Sequence, residues 1–365
     1  MSPDLPDLDG GRVDRRGFLS VAGGAALLCT IGGQQVAVRD AADVAEIDAA
    51  VASMRKPRRR RGTGGDPLDS ASFPTPEPQS GGRVREYWVA ARPTRWNVAP
   101  TGRDEWMGRR PPRRRSLDAF VYQRFSPGFA RPIAPPRMPG PTLRAEVGDT
   151  LVVHFRNQGR GRFAQPITIH PHGVRYTPDY DGSYLGELTR VGGFVEPGEE
   201  FTYVWEATPD SVGAWPYHDH GPNHTLNTFR GLFGAIVVSA KGKPRPHVER
   251  VLYLNSFPFQ VSGLPQIIHC VNGRTYAGNT PTIRARVGQD VALHVIGGDS
   301  NFHTFHIHGH RWRDSGGAWV DTPTVGPNET ITARFREDNP GRWLYHCHVF
   351  THQDAGMAGW YLVDP

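Results

Sequence analysis

The sequence predicts an all-β protein built from two tandem Greek-key β-sandwiches, and three observations carry that expectation. The first is an internal repeat, the usual mark of a duplicated unit. Pro141 to Gly148 recurs as Pro281 to Gly288, and Ile167 to Gly173 lines up with His303 to Gly309. Glu196 to Glu200 matches Gly326 to Thr330, Gly213 to His220 matches Gly341 to His348, and Gly231 to Gly234 matches Gly356 to Gly359. The second is that each copy holds several short β-rich runs, such as 150–155 and 235–239, between Gly and Pro turns. The third is size. At 365 residues and 38% hydrophobic content, the chain can bury one large core or two modest ones, which leaves room for the duplicated unit. The repeat assigns residues 84–242 to a first sandwich and 250–365 to a second, with 243–249 as the connection.

Upstream of the repeat, Arg15 and Arg16 followed by the small and apolar run Ser20 to Ile31 read as a twin-arginine export signal over residues 1–40. That run is too short and Gly-rich to span a membrane, so no stable membrane insertion is expected. The protein is placed outside the cytoplasm, either extracellular or in the cell envelope. Residues 41–83 read as a disordered linker, with a short helix over 41–54 and an Arg-, Gly- and Pro-rich remainder.

The formal net charge of +6 comes partly from Arg58 to Arg61 and from the run Arg109 to Arg115. No recognition fold or interleaved aromatic residues accompany these arginines, so no nucleic-acid partner is expected and Arg109 to Arg115 read as a solvated, mobile loop. The chain has three cysteines. With Cys29 in the leader and Cys347 in a ligand motif, no disulfide framework follows, and Cys270 reads as a small buried hydrophobe.

The chemistry concentrates near the C-terminus, where His346, Cys347, His348, His352 and Met357 fall within twelve residues. A thiolate, imidazoles and a thioether form the ligand set of a blue-copper centre. On a strand, alternate side chains face opposite ways, so His346 and His348 point away from the side that Cys347 faces. A second metal centre is therefore expected behind the first. His303, His306 and His308 add a set in which His303 joins Cys347, His352 and Met357, while His306 and His308 join His346 and His348. Two further His-x-His pairs lie upstream, His170 with His172 and His218 with His220. A four-ligand zinc site does not account for eight imidazoles in symmetric pairs.

These four motifs resemble those of the multicopper oxidases, and within them the two-domain bacterial small laccases, over residues from about 84 to 365. The resemblance implies the cupredoxin form of the β-sandwich and four coppers per chain: one type 1, one type 2 and two type 3. It implies type 1 ligation by His303, Cys347, His352 and Met357. Type 2 ligation falls to His170 and His306, and type 3 ligation to His172, His218, His220, His308, His346 and His348. In the first copy Asp219, Ile167 and Leu232 stand where the second has Cys347, His303 and Met357, so the first copy has lost the blue site. Lacking a middle domain, the chain is expected to form the cluster between neighbouring subunits, and the resemblance to the small laccases implies a homotrimer. By the same resemblance Asp181 orients solvent and relays protons, and Tyr176 supplies or tunes an electron, although Asp181 also reads as an ordinary turn residue. Asp219 reads either as a neighbour that orients ligands or as a relic of the lost cysteine.

The implied activity is that of a laccase: one-electron oxidation of small phenolic or aromatic-amine donors, coupled to four-electron reduction of dioxygen to water. Three alternatives stand beside it. A cuprous-ion oxidase is disfavoured by only five methionines. A copper nitrite reductase would carry its blue site in the first domain. A blue-copper electron carrier would leave eight histidines unexplained.

Overall fold

A computed structural model describes residues 26–57 and 82–365. Arg15, Arg16 and most of the expected linker lie outside the described residues. The segment 26–57 departs from expectation. β1 (Leu27–Ile31) and β2 (Gln34–Val38) form an antiparallel hairpin, followed by α1 (Ala41–Ser53). Asp40 caps α1 by accepting from the amides of Ala42 and Asp43. Val44, Ile47 and Val51 recur at helical spacing and are buried with Cys29, Ile31 and Val38. This layer packs on Phe194, Leu226 and Phe229 of the first sandwich and Val261 of the second. Beneath it the Asp48 carboxylate takes a bidentate pair of bonds from Arg230, at 2.7 and 2.6 Å, with Arg230 fully buried. The helix expected over 41–54 therefore forms, but as part of the folded body rather than of a disordered linker. Cys29 belongs to that body too. All three cysteines are unpaired.

The first sandwich comprises β3 (Val84–Asn97), β4 (Ser116–Phe125), β5 (Leu143–Glu146), β6 (Thr150–Asn157), β7 (His170–Pro171), β8 (Glu200–Glu206), β9 (Gly213–His218), α2 (His224–Arg230) and β10 (Phe233–Ser239). Its sheets run β4-β3-β6-β8 and β5-β10-β9-β7. The second comprises β11 (Val248–Phe257), α3 (Phe259–Ser262), β12 (Ile268–Val271), β13 (Ile283–Arg286), β14 (Asp290–Gly297), β15 (His303–Ile307), β16 (Trp312–Arg313), β17 (Trp319–Val320), β18 (Thr324–Val325), β19 (Thr330–Arg336), β20 (Gly341–Cys347), α4 (Phe350–Asp354) and β21 (Ala358–Asp364). Its sheets run β12-β11-β14-β19 and β13-β21-β20-β15-β18, with β16 and β17 as a separate ribbon. Both copies place the same parallel pairs, β3 on β6 and β11 on β14, then β5 on β10 and β13 on β21. The duplication seen in the sequence is thus a duplication of topology. β11 opens at Val248, inside the span assigned to the connection.

Repeated local contacts explain the repeated motifs. Gly173 and Gly309 follow the two His-x-His pairs at φ of 68° and 72°, where a side chain is strained. An added Cβ would meet Trp215 or Trp343, whose indoles donate to Ser211 and Asn339 carbonyls. Tyr217 and Tyr345 donate to the carbonyls of Pro141 and Pro281, at 2.7 and 2.6 Å. Each motif thereby ties the strand that carries its histidines to the opening strand of its own sheet.

Besides the N-terminal layer, three larger apolar cores result among the described residues. One fills each sandwich, and a third lies between them, with Trp96, Leu117, Val121, Phe233, Tyr253, Phe257 and Tyr276 around Cys270. Cys270 is buried as expected. Arg144 of β5 also pairs across the domains with Glu249 of β11. Among the described residues, no helix is long and apolar enough to cross a membrane.

Candidate metal centre

β15 and β20 are antiparallel neighbours, with Phe305 opposite Cys347 and His306 opposite His346. Strand alternation sends Cys347 into the sandwich core and His346 out of it. The Cys347 Sγ lies 3.8 Å from His303 Nδ1 and 3.8 Å from His352 Nδ1, and the two nitrogens are 3.3 Å apart. Met357 is fully buried in the same core and its carbonyl accepts the Cys347 amide at 3.0 Å. Burial opposes ionisation of Cys347, yet bonds from His303 and His352 hold its thiol down to about 6. Against the lowering effect of burial, Asp299 and Cys347 lift His303 to about 9. The three donor atoms converge on one point, and metal binding displaces the protons such groups carry. The donor set fits copper.

The eight remaining imidazoles form two tetrads with the same hydrogen-bond pattern. His170 Nδ1 donates to the Asp181 carbonyl at 2.7 Å, and His306 Nδ1 donates to that of Asp321 at 3.0 Å. His218 Nδ1 donates to the Asp219 carbonyl at 2.8 Å, and His346 Nδ1 donates to that of Cys347 at 2.9 Å. These bonds set the tautomer and leave each Nε2 a lone pair. The Nε2 atoms of His172 and His218 then face each other at 3.0 Å, and those of His308 and His346 at 3.2 Å. Burial holds His172, His220 and His346 down to about 4, with His218 also well below its usual value. Neutral imidazoles aimed at one another are ligands awaiting a cation. His220 and His348 complete the tetrads, 5.1 Å from His170 and 5.5 Å from His306 between ring centroids. Among the described residues, ring contacts join histidines within a tetrad and none joins the two tetrads.

The softer candidates are also at the first tetrad. Asp181 approaches His170 Nδ1 with a carboxylate oxygen at 3.4 Å. The Tyr176 ring stands 6.1 Å from His170. Burial, then the charge of Asp181 and a bond to it, raise Tyr176 to about 12. Asp219 is fully buried and accepts from Thr168 N, Gly221 N and Asn227 Nδ2, at 2.8, 3.1 and 2.9 Å. It braces the first domain where the second holds sulfur.

Several neighbours escaped sequence reasoning. Asp299 accepts from His303 Nε2 at 3.1 Å. His269 stacks on His352 at 4.1 Å, and His224 on His220 at 4.8 Å. Trp106 stacks on His346 at 6.3 Å. Asp299 and Trp106 sit outside the repeated motifs, His224 lies just after one in the sequence, and His269 has no motif around it. Of the run expected as a solvated, mobile loop, Arg109 is instead seated on the second domain, its Nη2 donating to the Asp354 carbonyl at 2.6 Å, while Arg110, Arg113 and Arg114 are exposed as expected.

Multicopper oxidase family models match residues 135–243 and 245–365. The chain is 29% identical over 349 residues to Ferroxidase HEPHL1 of Homo sapiens, covering 77% of this chain and 29% of that protein. It spans less than a third of the length of the curated relatives it matches. Among solved structures, a multicopper oxidase superposes with TM-score 0.61 at 25% identity, covering 77% of this chain and 89% of the other. A blue copper oxidase from Nitrosomonas europaea gives 0.58 at 25%, covering 77% and 86%. With two family models that together match well over half of the chain, in both sandwiches, the chain belongs to the multicopper oxidase family.

Proposed function

We propose that this protein is a laccase-type oxidase, taking single electrons from small phenolic or aromatic-amine donors and delivering four to dioxygen. The observation that carries this reading is the continuity of His346, Cys347 and His348, which joins a buried sulfur site to an imidazole tetrad through one strand. Copper held by His303, Cys347, His352 and Met357 would accept the donor's electron, and copper at the tetrads would bind and reduce oxygen. His352 and the stacked His269 are both partly exposed and form the edge a donor can reach. Cys347 is fully buried, which keeps solvent from the thiolate. Asp181 holds His170 in place and can pass protons toward it, with Tyr176 alongside.

The tetrads do not meet within one chain, so each needs a partner of the opposite kind. The natural solution is a head-to-tail ring, proposed as a homotrimer in which the first-domain tetrad of one subunit closes on the second-domain tetrad of the next. Four coppers per chain follow. Export by the twin-arginine route is proposed from Arg15 and Arg16. Because β1 is built into the fold, processing should fall before Leu27.

A ferroxidase among the relatives favours a second reading, oxidation of a metal ion. Nitrite reduction with a first-domain blue site is disfavoured, because Asp219 there is saturated with hydrogen-bond donors. The test is oxygen consumption with 2,6-dimethoxyphenol against ferrous and cuprous ions. The laccase reading expects one dioxygen consumed per four phenol electrons, without hydrogen peroxide. Turnover confined to metal ions would overturn it. In the same assay Asp181→Asn should lower kcat about 10–100-fold while leaving the visible thiolate absorption unchanged.

A further inference from the structure

The basic run left over from the sequence has a definite place. Between residues 100 and 115, six arginines stand against two acids, leaving four net positive charges in a chain whose total is +6. This segment leaves the first sandwich after β3 and lies along the second. Its amides at Thr101 and Glu105 donate to Asn279 Oδ1 and the Ala277 carbonyl, at 2.8 and 3.0 Å. Asp104 is buried and pairs with Arg109 at 3.2 Å, and Glu105 accepts from the Trp360 indole at 2.9 Å. Both acids are therefore engaged inside the strap.

Arg109 and Arg114 flank the elements that carry the donor edge. Arg109 bonds the Asp354 carbonyl at the end of α4, the helix that carries His352, and lies over Tyr276 at 5.8 Å. Arg114 Nη2 lies 3.2 Å from the Cβ position of Gly263, on the connection into β12, which carries His269. His269 in turn covers His352. Arg110, Arg113 and Arg114 are exposed and make no ion pair among the described residues. The acids facing them are few. Asp299 is buried behind His303, and Asp354 is the exposed acid beside the edge.

We propose that this arginine strap makes the His352–His269 edge an entry site for small polyanionic electron donors, such as sulfonated or carboxylated aromatics and cyanometallates. The proposal rests on the laccase-type reading and names its preferred donor class. A donor of charge n− docks, gives one electron to cupric ion held by Cys347 and its imidazoles, and leaves with charge (n−1)−. No bond forms or breaks and no proton moves. Fixed positive charge within a Debye length, about 10 Å at 0.1 M salt, raises the local concentration of anions and their encounter rate by about 10-fold or more.

The test has two arms. In the first, the metal-free protein is titrated calorimetrically with hexacyanocobaltate(III), a redox-inert trianion. The wild type should bind it, and the triple variant R110Q/R113Q/R114Q should bind roughly 10-fold more weakly, while the charge-preserving R110K/R113K/R114K should bind as the wild type does. In the second, bleaching of the visible thiolate–copper band is followed anaerobically by stopped flow. Hexacyanoferrate(II) should react roughly 10-fold slower with the Gln variant and slow as salt rises from about 10 to 300 mM, while hexaammineruthenium(II) should speed up with salt. Equal hexacyanocobaltate affinity in wild type and Gln variant, or salt-independent rates for both reductants, would overturn the proposal. Failure of the thiolate–copper band to appear on copper loading would instead sink the oxidase reading, and the calorimetric arm would still decide the strap.

Discussion

The two sandwiches hold the same imidazole frame and differ in what lies beneath it. In both, one Nδ1 is tied to a loop carbonyl, one Nδ1 to the carbonyl of the next residue, and two Nε2 atoms face each other. Under the second frame sit Cys347, His303 and Met357, and under the first sit Asp219, Ile167 and Leu232, all fully buried. A soft ligand site has been exchanged for a carboxylate with four hydrogen-bond donors between apolar side chains. The position that carries the thiol and its imidazoles in one copy carries a hydrogen-bonded carboxylate in the other. The tetrad can therefore be maintained without the sulfur site, provided that something else braces the strand behind it.

That contrast can be broken directly. Asp219→Ala strands two buried amides and the Asn227 side chain, and should cost about 3–5 kcal/mol in denaturant unfolding. Cys347→Ser should remove the visible absorption of the copper-loaded protein yet cost the metal-free protein no more than about 1–2 kcal/mol. Comparable losses from the two would mean that the copies do not divide these roles. Asp48→Ala probes the N-terminal layer in the same way. It leaves Arg230 buried and uncompensated, for about 3–5 kcal/mol, whereas an unchanged midpoint would show that the hairpin and α1 contribute little.

The glycines after the His-x-His pairs sharpen the comparison further. A Cβ on Gly173 would lie 1.9 Å from Trp215, and on Gly309 2.9 Å from Asn339 and 3.0 Å from Trp343. Gly173→Ala should therefore cost more, about 2–4 kcal/mol against about 1–2 for Gly309→Ala; the reverse order would contradict the packing described.

The smallest effect expected is on pH dependence at the domain junction. The His294 bond and the Arg144 guanidinium hold Glu249 down to about 2, against its burial. A depressed carboxylate stabilises the fold above its unfolded value of 4.5, and that contribution is lost as pH falls toward about 2. Removing the carboxylate with Glu249→Gln should erase about 1–2 kcal/mol of acid sensitivity in that window, as read from unfolding midpoints at pH 6 and, on the order of, pH 3.

The ligand motifs were legible because ligation imposes short spacings on strands of period two. His346, Cys347 and His348 declare two faces by alternation alone, and the repeat exposes which ligands the first copy lacks. The extent of the leader was misread because the short apolar run of β1, ending at Gly32 and Gly33, looks the same in an export signal and in a buried strand. The arginine loop was misread because its anchors, Asn279, Ala277 and Asp354, lie more than a hundred residues away. Asp299 and His269 meet the sulfur site only through folding. No local pattern marks them.

The central claim is that neither tetrad is complete within one chain. Native mass spectrometry of the copper-loaded protein tests it most directly. The account predicts a closed ring, proposed as a trimer, carrying about four coppers per subunit, the ligand set implied by one sulfur site and two half-clusters. A monomer that holds the full complement of copper, or a ring that holds only one copper per subunit, would contradict it.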